Sequence, residues 1–177
     1  QDVPLGLFTG DIRTGRKNLD SVLKALVDVP EMHLAVVGRL AGSPFPEMAR
    51  SLSVDSRVHF LDFRKDIADI MRACDFFVFP SRYEACALVL LEALASGLPV
   101  VTAETTGGAE VVVDGCGIRI GDTEDIGALA RAMRTVALDR DTRNSMSDSA
   151  RKQALGYTWD IIADQYLAHY EQLGAGK

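Results

Sequence analysis

"FFVFPSRYEACALVLLEALASGLPVVT", residues 76–102, links two extended apolar runs through a polar turn and a segment long enough for a helix. Phe76–Phe79 is apolar at every position and closed by Pro80, so it reads as a strand covered on both faces rather than one with a solvated side. Leu88–Ser96 reads as a helix, Gly97 stands just past it as a C-terminal stop, and Pro99–Thr102 is extended again. Apolar strands separated by helices imply a parallel sheet covered on both faces.

The same alternation runs outward in both directions. Upstream, Leu5–Thr9 is a strand, Asn18–Val27 puts Leu19, Val22, Leu23 and Leu26 on one helical face, and His33–Val37 is a strand ending at Gly38. Pro46–Leu52 is helical, Val58–Leu61 extended and Ile67–Arg72 a short helix. Downstream, Val111–Val113 and Gly117–Ile120 read as short extended pieces, and Asp125–Ala137, Asp139–Leu155 and Thr158–Leu173 as helices. The expected fold class is therefore α/β: one Rossmann-like domain over residues 1–177, a doubly wound parallel sheet in three α/β/α layers with C-terminal helices.

The 177 residues carry a net charge of −6, with 47% hydrophobic and 25% charged residues, as an ordinary globular domain does. That charge argues against a nucleic-acid partner, which would need a basic surface to displace counterions from phosphates. Cys74, Cys86 and Cys116 are odd in number and lack CxxC spacing, so they read as structural thiols rather than disulfides or zinc ligands. No apolar run is long enough to span a bilayer, and no signal-peptide pattern opens the sequence, so a cytoplasmic location is expected. A start at Gln1, running almost at once into a strand, is expected of a piece of a longer protein.

In doubly wound sheets, ligands sit beyond the carboxyl ends of the strands, which directs attention to the loops after Thr9, Val37, Leu61, Phe79 and Thr102. The first of them, "GDIRTGRKN", holds Arg13, Arg16 and Lys17 between Gly10 and the next helix. Such a loop fits a solvated surface segment or a clamp on phosphate oxygens, and it lacks the GxxxxGK[ST] pattern. Glu84 lies on a strand-to-helix turn, where unpaired N–H groups form a partial positive pole suited to a diphosphate; the bland alternative is a favourable carboxylate near a helix start. Glu92 follows in LVLLEALA; it reads either as an exposed helix position or, because flanking leucine and alanine give the helix a buried look, as a buried carboxylate that needs a partner.

These residues resemble the retaining glycosyltransferases of the two-domain B fold, especially family 4. The family pattern is close to PSxxEGFGLxxLEAMAxGxPVV, and here it reads PSRYEACALVLLEALASGLPVV, followed by TTGGAEVV. "LFTGDIRTGRKNLDSVLKAL", "HLAVVG", "VHFLDF" and "YTWDIIADQYLAHYEQL" are similar to the family's other conserved-looking stretches in the same order, so the likeness covers nearly the whole chain. It is a likeness to the C-terminal, donor-binding half of such enzymes, with the acceptor-binding N-terminal domain absent.

The resemblance implies a hexosyltransferase with no cofactor and no metal, whose donor is a UDP-, GDP- or ADP-sugar and whose acceptor is a glycan or lipid held by the other domain. Such an enzyme would serve polysaccharide or glycolipid synthesis, with a membrane surface as one place of work. Glu84 would lie beside the donor sugar, Arg13 and Lys17 would face the diphosphate with Gly10 close by, and N–H groups around Ala85, Cys86, Ala87 and Leu88 would meet the distal phosphate. Glu92 would hold the ribose, and Phe63 and Arg64 in "DFRK" would flank the base. Gly107 and Gly108 read as a tight backbone, and Trp159 and Tyr166 as packing. The sequence departs from the family pattern at Asp11, where an arginine is usual, and at Ala85 and Ala87, where glycines are. Those departures read as variation within an active family; they are also the features that would support one alternative, a non-catalytic nucleotide-sugar-binding module. Over the other alternative, an epimerase of the same fold, the Glu-spaced motif and the "GDIRTGRKN" loop favour the transferase.

Overall fold

A computed structural model describes residues 3–175. Six strands form one parallel sheet: β1 (Leu5–Thr9), β2 (His33–Val37), β3 (Val58–Phe60), β4 (Phe76–Phe79), β5 (Val100–Ala103) and β6 (Gly117–Ile120). Their order across the sheet is β3-β2-β1-β4-β5-β6, and each neighbouring pair is parallel. The helices are α1 (Leu19–Val27), α2 (Phe45–Ser51), α3 (Ile67–Arg72), α4 (Leu88–Ala95), α5 (Ile126–Leu138), α6 (Arg140–Ala154) and α7 (Trp159–Ala175).

The chain builds outward from β1 in one direction, then crosses to β4 and builds outward in the other. Because β-α-β crossovers are right-handed, the reversal of direction sends α1 and α4 to opposite faces. Accordingly α1 packs against α2 and α5, while α4 packs against α6. Between them lies the core. Leu7, Phe8, Leu34, Val36, Phe76, Phe77, Val78, Val100 and Val101 are all fully buried, as strands covered on both sides require. Phe79 joins them, its ring centroid 6.0 Å from Phe8 and 5.7 Å from Phe77. Truncating one such phenylalanine costs about 3–5 kcal/mol.

The doubly wound expectation is met, with element bounds within about two residues of the expected ones. One element differs. Val111–Val113 is not extended; Gly108, at φ 90°, opens a 3-10 turn over Ala109–Val111 instead. The free edge of β5 is taken by β6, so this segment has no strand to pair with, and Val111 and Val112 are buried in the core.

The C-terminal helix also departs from expectation. Trp159 is 85% exposed and Tyr166, Leu167, Tyr170 and Leu173 are exposed too, so Trp159 and Tyr166 are not packing residues of this chain. Their helical spacing marks a shared face, and periodicity alone cannot say what covers it. No described helix is long and apolar enough to cross a membrane.

Candidate functional site

The strand order reverses between β1 and β4, so the loops that follow these two strands diverge from a common crevice. Two groups marked in the sequence meet there. Lys17 Nζ donates to Glu84 Oε1, and the two side chains are 14% and 12% exposed. The ammonium also lies 5.1 Å from the centroid of the Phe79 ring, a cation-π distance. Ser81 Oγ stands 2.9 Å from Glu84 Oε1 and 3.1 Å from the Arg16 carbonyl, and its single proton serves one acceptor at a time.

The local chain explains why Lys17 reaches this place. Gly15–Lys17 is one 3-10 turn, and Asn18 follows it at φ 65°, a left-handed conformation that asparagine tolerates. Asn18 is fully buried, with Nδ2 3.0 Å from the Pro80 carbonyl and 2.8 Å from both the carbonyl and the hydroxyl of Thr123. This bend ends the turn, starts α1 and turns Lys17 back toward β4. Gly10 completes the fit, since a Cβ there would stand 3.2 Å from Lys17 Cγ.

A residue not singled out from the sequence secures the arrangement. The Arg82 guanidinium donates to both carboxylate oxygens of Asp20 at 2.7 and 2.8 Å, to Glu124 at 2.5 and 2.9 Å, and to the Gly15 carbonyl at 2.5 Å. Its backbone N–H donates to the Arg16 carbonyl at 3.0 Å. The loop after β4 is thereby stitched to the loop after β1. Burial, the largest single influence, would raise the Asp20 carboxyl, but the hydrogen bonds and charge of Arg82, with a backbone hydrogen bond and the Lys24 charge, together outweigh it and hold the group below its ordinary range. Glu124 is lowered by the same guanidinium, and Arg82 is raised in return by both carboxylates. Sequence offers only a weak signal for this network, because Arg82 is 62 residues from Asp20 and 42 from Glu124.

The turn carrying Glu84 is supported from below by Gly107 and Gly108. A Cβ on Gly107 would stand 2.1 Å from the Glu84 carbonyl oxygen and 2.8 Å from that of Ala85, so no side chain fits. Ala87 N–H donates to the Gly107 carbonyl at 2.8 Å, which binds the two segments by backbone. The expected tight backbone is present. Two of the N–H groups expected to meet an anion have acceptors within the chain: Ala87 N–H is bonded to Gly107, and the Leu88 N–H lies 3.1 Å from the Cys86 carbonyl. No side chain caps the start of α4 at Ala87, and Ala85, Cys86 and Leu88 are exposed around it. Cys86 is thus a surface thiol and not a structural one, whereas Cys116 is buried and Cys74 half-buried.

Glu92 is exposed, contrary to the look of its surroundings. Helix α4 buries Leu90, Ala93 and Leu94 against the sheet, while Leu88, Glu92 and Ala95 share the opposite, open face. The apolar flanks do not enclose the carboxylate because this side of the helix is exposed among the described residues. Glu92 is the fifth residue of α4, and Glu84 stands in the turn that precedes the helix.

Arg13 is engaged with its own loop. Its Nε and Nη2 each donate at 2.9 Å to Asp11, an exposed pair that holds the Asp11 carboxyl far below its usual range and raises the guanidinium. Asp11 therefore spends its charge on Arg13 rather than on the crevice, and Arg13 must leave Asp11 to meet an anion. At the end of β3, Asp62 turns the chain at φ 55° and accepts from the Leu40 N–H at 3.0 Å. Phe63 beyond it is 63% exposed, and Arg64 pairs with Asp66, with Nε 2.8 Å from Oδ1.

Comparison with known proteins agrees with this layout. Residues 3–153 match the family described as Glycosyl transferases group 1. The chain is 35% identical over 146 residues to the lipopolysaccharide glucosyltransferase WaaG of Escherichia coli K12, a match covering 79% of this chain and 39% of that protein. It is 31% identical over 179 residues to the D-inositol 3-phosphate glycosyltransferase of Mycolicibacterium smegmatis, covering 97% and 41%. It thus spans about two fifths of these relatives' length. The solved structure of WaaG superposes with a TM-score of 0.80 at 30% identity, covering 91% of this chain and 45% of that one. Anabaena HepE in complex with UDP and glucose superposes at 0.76 with 26% identity, covering 97% and 48%. With the family match running through the two switch-point loops, the chain belongs to the group 1 glycosyl transferases.

Proposed function

We propose that this chain is the donor-binding half of a retaining hexosyltransferase that moves a sugar from a nucleoside diphosphate to a glycan or lipid acceptor. The observation that carries the reading is the meeting of Lys17, Glu84 and Ser81 at the strand-order reversal, with the uncapped start of α4 beside them. A doubly wound sheet binds its ligand at that point, and a lysine with a helix N-terminus is a general device for phosphate oxygens. The relation to WaaG, named a glucosyltransferase, and to HepE, solved with UDP and glucose, supports a nucleotide-sugar donor.

In this reading the sugar-phosphate bond breaks with its electron pair going to the diphosphate. Lys17 and the α4 N-terminus stabilise the charge that develops there, and a fixed cation of this kind acts without a metal ion. Arg13 adds its charge on release from Asp11. Glu84, an acceptor-only carboxylate, orients the sugar through its hydroxyls, Glu92 receives the ribose on the open face of α4, and the exposed Phe63 and Arg64 flank the base. Retention of configuration follows the family resemblance. Acceptor recognition falls to the rest of the longer relatives' architecture, so the chain by itself binds nucleotide and transfers nothing.

Calorimetric titration tests the reading. Of UDP, GDP and ADP at least one binds, and Lys17→Ala weakens that nucleotide while leaving the corresponding nucleoside unchanged. The loss expected from one charge-assisted phosphate contact is about 1.5–3 kcal/mol. Equal losses for nucleotide and nucleoside, or no binding of any diphosphate, would refute it.

A further inference from the structure

The two charges that meet at the switch point have different partners in the proposed reaction, yet in this structure they hold each other. The Lys17–Glu84 pair is mostly shielded from solvent, with side chains 14% and 12% exposed, and lies against the Phe79 ring. A setting with little water strengthens the attraction between the two, and equally the repulsion between Glu84 and any anion that Lys17 takes up.

We propose that Glu84 is a specificity-determining residue that weakens binding of the bare nucleoside diphosphate, so that the site favours the sugar-bearing donor and releases the spent product. The proposal rests on the donor-site reading above. When a sugar is attached, its hydroxyls donate to the carboxylate and compensate Glu84 for the transfer of Lys17 to the phosphate. Once the sugar has left, those donors are gone and a shielded carboxylate without them is costly. Ser81 Oγ, 2.9 Å from Oε1, remains as one neutral donor and cannot replace a cation. Lys17 is the nearest positive charge, and its return to Glu84 loosens the diphosphate. No covalent step is involved; an ion pair is exchanged for a phosphate contact and then re-formed.

The test is titration of the 177-residue chain and its Glu84→Gln variant with UDP, GDP and ADP, and with the matching nucleosides. The variant keeps the shape of Glu84 and removes its charge. Loss of one like charge a few ångströms from the phosphates is expected to tighten the bound diphosphate about tenfold, with nucleoside affinity unchanged. Glu84→Ala, measured in parallel, moves in the same direction and covers the case in which glutamine disturbs the turn. In the Lys17→Ala background the gain shrinks, because the cation in dispute is missing. Unchanged or weaker diphosphate binding by well-folded Glu84→Gln and Glu84→Ala overturns the inference alone. Failure of the wild-type chain to bind any of the three diphosphates overturns the donor-site reading and this inference with it.

Discussion

Replacing Arg82 by alanine is the most informative single change, because its guanidinium joins three separate segments. The bidentate bond to Asp20 is partly shielded, with side chains 30% and 21% exposed, and a hydrogen bond between charged groups in such a place is worth about 1.5–3 kcal/mol. The Glu124 arm is more open and contributes about 0–1 kcal/mol. Lys24 Nζ, 3.7 Å from Asp20, offers only partial compensation. Arg82→Ala should therefore cost about 1.5–4 kcal/mol, and for a chain of this size lower Tm by roughly 3–16 °C. Asp20 and Glu124 both have folded-state pKa values below their ordinary ones, so their contribution is present above the ordinary carboxylate range and is lost as pH falls through the lowered values. Thermal melts of both proteins at neutral pH should show the full gap, and melts near pH 3, below the ordinary carboxylate values of about 4, a smaller one. A gap of the same size at both pH values, or none at neutral pH, would refute the argument.

Other substitutions probe different contacts. Gly107→Ala forces a methyl to within 2.1 Å of the Glu84 carbonyl oxygen; an overpacking cost of about 1–3 kcal/mol and weaker nucleotide binding are expected, and an unaltered Tm would show that the two loops do not abut as described. Thiol labelling should modify Cys86 first, since it is exposed, while burial pushes the Cys74 thiol up to about 11 and raises Cys116 as well; peptide mapping after brief alkylation near pH 8 checks the order. Trp159 is the single tryptophan and stands in solvent, so its emission should shift little on unfolding in denaturant. A large red shift would mean that something covers it.

The strands and most helices were legible because their signal is local: an apolar run such as FFVF admits few readings, and its neighbours repeat the pattern. The opposition of Lys17 and Glu84 was legible at one remove, through the rule that places ligands at the carboxyl ends of a doubly wound sheet. Arg82 was not, because a charged residue in a loop looks the same whether it is solvated or bound to two distant segments. Glu92 misled for a related reason, since apolar neighbours along a helix do not reveal that one face is open. Arg13 and Asp11 are two residues apart, and their mutual pairing competes with the anion role that charge alone suggested. Trp159 and Tyr166 show the same limit on α7, where spacing marks a face and says nothing of its cover.

The stitching of the two loops has a bearing on how the chain matures. Lys17 finds Glu84 across 67 residues, Arg82 finds Asp20 across 62, and Asn18 finds Thr123 across 105. Contacts of such separation form late, after the cost of closing long loops has been met. The proposed nucleotide capture would then report completion of the sheet, arriving with the last cooperative step of refolding and missing from any fragment cut between β1 and β4.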